Sequence, residues 1–105
     1  MEQLDIYKTV QIPHLRYKVQ FMDMSKLKGV DIKGSGFTCI SGEDTTTVFI
    51  ENIGESVKKI SCMPTIAHEI MHVIQILCEK FGMDVESEQE HTAYLTHYLF
   101  ESLIN

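Results

Sequence analysis

Residues 64–81 place the strongest limit on how this chain can fold, because they are apolar over most of a helical circumference. At about 100° per residue, Thr65, His68, Glu69, His72, Gln75 and Glu79 fall within about 120° of one another. The rest of the circumference is Ile66, Ala67, Ile70, Met71, Val73, Ile74, Leu77, Cys78 and Phe81. A surface helix has the opposite proportions, so this one must be covered on several sides. A narrow polar stripe on a buried helix then faces a cleft, a cofactor or another polar element. Pro64 suits a first turn, where its missing N–H is not needed. Gly82 can adopt the left-handed conformation that ends a helix. The charged and polar residues of the stripe interrupt the apolar run, so it does not read as a membrane span.

Cover must come from the remainder of the chain. Residues 15–23 alternate apolar and polar side chains with the period of a half-buried strand. Residues 24–33 are polar and glycine-bearing and read as a loop. Gly34-Ser35-Gly36 punctuates before a second strand at 37–40. Ser41-Gly42-Glu43-Asp44 has turn chemistry, and another strand follows at 45–51. The last two are close enough to form a hairpin. Residues 4–12 suit a further strand, ended by Pro13, while 52–61 have no clear preference. After a connection at 83–87, a second helix is predicted over 87–103. A short connection makes the two helices antiparallel neighbours. The fold class expected is α+β: an N-terminal antiparallel sheet of three or four strands packed on two C-terminal helices.

With 105 residues and 12.0 kDa, the chain suits one domain, 1–105, with a core that needs no staples. Fifteen acidic against nine basic residues give a net charge of -6. That balance argues against nucleic acid or an anionic membrane as partner, because both require a basic face. Cys39, Cys62 and Cys78 are scattered and cannot all pair, which suits reduced thiols in the cytoplasm. Met1-Glu2-Gln3-Leu4-Asp5 has neither the basic start nor the apolar run of a secretory leader. Met63, Met71, Met83 and Cys78 read as packing residues, and His14, after Pro13, as a solvated turn residue. Gly34-Ser35-Gly36 lacks the following helix and Lys of a phosphate loop.

Within the polar stripe, His68-Glu69-Ile70-Met71-His72 forms an HExxH pattern. Residues four apart lie one above the other on a helix, so two imidazoles can reach one metal ion from one face. The Glu beside the first His points to the side, where it can hold and deprotonate a water at the metal. Zinc is the natural ion for two neutral imidazoles and a carboxylate, because it accepts tetrahedral N/O coordination with one position left open. The alternative is that both histidines merely belong to a polar helix face.

A third ligand is needed, and the second helix offers Glu90. Glu86, Tyr94, His97 and Glu101 lie within about 40° of it, opposite Leu95, Leu99 and Leu103. The chain between His72 and Glu90 is long enough for the first helix to finish, turn and return. Glu86 and Glu88 compete for the same role, although acids are common in a first helical turn for dipole reasons alone. His91 points about 100° away from Glu90.

The HExxH pattern followed by Glu90-His91-Thr92-Ala93-Tyr94 resembles the zincin metallopeptidases of the gluzincin type. There, a Glu on the next helix is the third zinc ligand. The order of strand, glycine-bearing loop, strand and HExxH helix over roughly 15–100 is similar to the compact phage- and mobile-element-associated members called minigluzincins. Position 94 is Tyr, where many larger gluzincins have an Asp that orients a zinc-bound His. The resemblance implies zinc at His68, His72 and Glu90, and Glu69 as general base. It also implies an oxyanion donor, for which Tyr94 or His97 could serve. Tyr94 as a packing residue and His97 as a surface residue are equal alternatives. The implied substrate is a peptide or protein segment, lying extended against an edge strand at 47–50. Two other functions stay open: an inactive zinc-binding interaction module, and a metal-free α+β binding protein.

Overall fold

The computed structural model describes residues 6–13, 15–24, 35–83 and 89–104. Four strands come first: β1 (Ile6–Gln11), β2 (Lys18–Asp23), β3 (Gly36–Gly42) and β4 (Thr45–Ile50). A four-residue helix α1 (Ile53–Ser56) and a 3-10 turn (Ile60–Cys62) lead into α2 (Met63–Phe81), and α3 (Gln89–Ile104) completes the order. The fold is therefore α+β, as expected, with the sheet in the first half and the two long helices in the second.

The sheet order is β1-β2-β4-β3. β1 and β2 pair antiparallel, as do β3 and β4, but β2 and β4 are parallel neighbours. The sheet is thus mixed and not purely antiparallel. Burial explains the order. Every residue of β4, Thr-Thr-Thr-Val-Phe-Ile, is buried, whereas no residue of β3 is. An interior strand must be covered on both faces, and β4 can fill that place. β3 carries Gly36, Ser41 and Gly42 and goes to the edge. The Glu43–Asp44 turn still joins β3 to β4 as a hairpin, with Gly42 opposite Thr45. Among the described residues the edge strands are consequently β1 and β3, and residues 47–50, expected at the edge, lie inside the sheet.

One core joins the layers. Val19, Phe21, Val48 and Ile50 from the sheet meet Ile66, Ile70, Val73 and Leu77 of α2, and Leu95, Leu99 and Leu103 of α3. Ile66, Ile70, Val73 and Leu77 are each 0% exposed. A side chain of that size contributes about 1.5–3 kcal/mol when taken from water. By length and composition alone Ile60–Phe81 could cross a bilayer; here it is the helix at the centre of the core. Its ends follow the local signals: Pro64 lies in the first turn, and Gly82 closes the helix at φ 67°. Cys78, Met63 and Met83 pack as expected. Met71 does not: it is 53% exposed, on the side of α2 that neither the sheet nor α3 covers. Tyr17, 1% exposed, shares a 2.7 Å hydrogen bond with Thr46 and meets the Phe81 ring edge-on at 5.7 Å, tying the base of the sheet to the end of α2.

Candidate metal and catalytic site

Polar residues of α2 emerge along the flank that faces β3. The i, i+4 spacing does what helix geometry requires: His68 and His72 stand edge-to-face with ring centroids 4.7 Å apart, and their Nε2 atoms are 3.1 Å apart. Both rings are exposed. On its other nitrogen, His72 Nδ1 donates to Gln75 Oε1 at 3.2 Å. With Nδ1 protonated, His72 Nε2 presents a lone pair and accepts the N–H of His68 Nε2. Two imidazole donors around a tetrahedral zinc, each at about 2.0–2.1 Å, stand about 3.3–3.4 Å apart. The pair is already near that separation, and a metal ion would take the place of the proton the two rings share. The residues present therefore fit two of the ligands, and Gln75 supplies the orienting bond that metal-binding histidines usually have.

Glu69 differs from its neighbours in being buried, at 5% exposure. Its carboxylate lies against β3. Thr38 Oγ1 donates to Glu69 Oε1 at 2.7 Å, and a Cβ at Gly36 would lie 2.8 Å from Glu69 Cγ and Oε2. The strand approaches the carboxylate this closely only because position 36 has no side chain. A cavity of about 350 Å³ opens here, with Gly36, Phe37 and Thr38 on one wall and His68, Glu69, His72 and Gln75 on the other. A second cavity of about 340 Å³ lies at the adjoining end of β3 and the start of α2, between Ser35 and Thr65, with Glu51, Glu55 and Lys59 at its rim. Burial pushes the Cys39 thiol up, which disfavours its thiolate.

The second helix is oriented differently. Its buried stripe is Thr92, Leu95, Leu99 and Leu103. Glu90, Tyr94, His97 and Glu101 lie about 140–200° around from Thr92, on the opposite side. All four are exposed: Tyr94 stacks with Tyr98 at 6.3 Å, and His97 Nε2 meets Glu101 Oε2 at 2.9 Å. None of them lines the cavity that holds the two histidines. Among the described residues, no three His, Cys, Asp or Glu side chains are gathered closely enough to hold a metal ion. Glu86, Glu88 and His14 lie outside the described residues.

Of the residues singled out from sequence, then, the structure brings together His68, Glu69 and His72, and places Glu90, Tyr94 and His97 elsewhere. Gly36 and Thr38 were not singled out. The Gly34-Ser35-Gly36 punctuation hinted at a close approach, but nothing local says which side chain comes near. No family model matches the chain, and neither a curated protein nor a solved structure matches it.

Proposed function

We propose that this chain is a zinc-dependent peptidase acting on peptide or protein segments in the cytoplasm. The observation that carries this reading is the joint geometry of α2 and β3. Two imidazole nitrogens converge at 3.1 Å beside a buried carboxylate, in a groove bordered by β3, an edge strand among the described residues. Zinc, when bound, would supply a Lewis acid for the scissile carbonyl and a more acidic water. His68 and His72 would hold the ion, and Gln75 keeps His72 in the required tautomer. Glu69 takes a proton from the attacking water and delivers it to the leaving amine nitrogen. The outer edge of β3, and not residues 47–50, receives an extended substrate strand.

We assign the third protein ligand to Glu90, with Glu86 and Glu88 as alternatives on the approach to α3. Glu90 stands outside the cavity, so this assignment requires the first turn of α3 to move toward α2 when zinc is loaded. Tyr94 and His97 would take part only through the same movement. An inactive zinc-binding module is the second reading. Its support is the placement of Glu90, Tyr94 and His97 on the solvent face of α3.

Two measurements decide between them. Metal analysis of the purified protein should find one zinc per chain in the wild type and none in His68→Ala; a metal-free wild type that takes up no added zinc would end both zinc readings. Hydrolysis of a quenched fluorescent peptide library by zinc-loaded protein, absent in Glu69→Gln, marks the peptidase. Zinc uptake without hydrolysis marks the inactive module.

A further inference from the structure

We infer that Thr38 is the positioning residue for Glu69, and that Gly36 and Thr38 couple the seating of a substrate strand to the placement of that carboxylate. The role of Glu69 as general base rests on the peptidase reading above; its contact with β3 does not.

A glutamate side chain has several rotatable bonds and loses appreciable entropy when fixed. Something must hold it if it is to work as a base from a single position. On α2 itself the other polar residues of the stripe are engaged elsewhere: His68, His72 and Gln75 are bonded to one another, and Thr65 lines the adjoining cavity. The holding group comes from the sheet. The Thr38 hydroxyl reaches Glu69 Oε1 at 2.7 Å, a short bond to a charged acceptor. Gly36, two residues earlier on the same face of β3, leaves the space in which Glu69 Cγ and Oε2 lie.

The same two residues also belong to the outer edge of the described sheet. In an antiparallel pair, alternate residues exchange both backbone bonds with the partner strand. Glu51 N donates to Ser35 O at 2.9 Å, and Gly36 is opposite Ile50 and Thr38 opposite Val48. That phase commits the backbone groups of 35 and 37 to β4 and turns those of Gly36 and Thr38 to the outer edge. A strand added at that edge would bond to the backbone of the residues whose other faces cradle Glu69. Substrate pairing then steadies the strand that steadies the base.

The test uses the full chain. In metal-free protein, a double-mutant cycle of Thr38→Val and Glu69→Met is read by urea unfolding. A coupling of about tenfold to a hundredfold in the unfolding constant is expected, the size of a hydrogen bond to a charged group. A coupling below about twofold overturns the contact. In zinc-loaded protein, Thr38→Val and Gly36→Ala should keep wild-type zinc affinity and KM for the quenched peptide library. Both should lower kcat by about tenfold or more, and Thr38→Ser should restore it. Gly36→Ala is the independent variant: the three atoms nearest to its Cβ, at 2.8–3.0 Å, all belong to the Glu69 side chain, so the substitution displaces the carboxylate and spares the neighbouring backbone. Unchanged kcat in both variants overturns the positioning role. If the wild type hydrolyses nothing, the peptidase reading fails by itself, and the metal-free cycle still decides whether Thr38 holds Glu69.

Discussion

The two long helices carry polar stripes that look alike in sequence and end in different places. On α2 the stripe is the exception: most of the circumference is buried, and the polar residues open into a cavity walled by β3. On α3 four buried residues form one narrow stripe, and the polar residues are the ordinary wet side of a surface helix. The difference shows what makes a polar stripe informative. Its composition says little; what counts is how much of the remaining circumference must be buried. Glu90, Tyr94, His97 and Glu101 line up as neatly as His68, His72 and Gln75. They had no sheet to meet, because Leu95, Leu99 and Leu103 had already turned the other side of the helix inward.

The largest difference between the helices should come from Glu69→Gln, which keeps a similar shape and removes the base. Zinc content should stay at the wild-type value and the protein should remain folded, while hydrolysis of the peptide library falls by about 10²–10⁴. Loss of zinc from this variant would show that Glu69 is a ligand. Next, Ile70→Ala should destabilise the protein by about 2–5 kcal/mol, since the removed atoms leave a cavity at the centre of the core. Urea unfolding measures this, and a change under about 1 kcal/mol would mean that α2 is not as tightly covered as its burial indicates. Gln75→Leu comes third. It removes the bond that fixes the His72 tautomer, and zinc affinity should drop about 10–100-fold by competition with a chromophoric chelator.

The comparison also predicts how acid acts. Protons compete with zinc for the nitrogens of His68 and His72, so any stability the metal adds is present at high pH and lost as pH falls. Melting with and without chelator should differ at pH 7.5 and converge at pH 5. The smallest effect belongs to α3. His97→Ala removes an exposed i, i+4 pair with Glu101, and stability should change by no more than about 0.5 kcal/mol. A large loss of zinc affinity in that variant would break the contrast, because it would bring the polar face of α3 into the site.

The features legible in the sequence are those set by neighbours along the chain. Pro64 and Gly82 mark the ends of α2, periodicity separates its buried and polar sides, and the i, i+4 spacing brings His68 and His72 together. These depend on the 3.6-residue turn and on which side chains avoid water, and both are local properties. The hairpin of β3 and β4 belongs with them, since Glu43 and Asp44 leave little choice. Strand order was decided by the tertiary structure. β4 took the interior because all of its residues could be covered, and this left β3 at an edge of the described sheet. The meeting of Gly36 and Thr38 with Glu69 follows from that order alone. It joins residues some thirty positions apart, and no periodicity links a strand residue to one helix side chain. Such a contact exists only after two layers have packed, when the buried carboxylate must find a donor or remain unsatisfied.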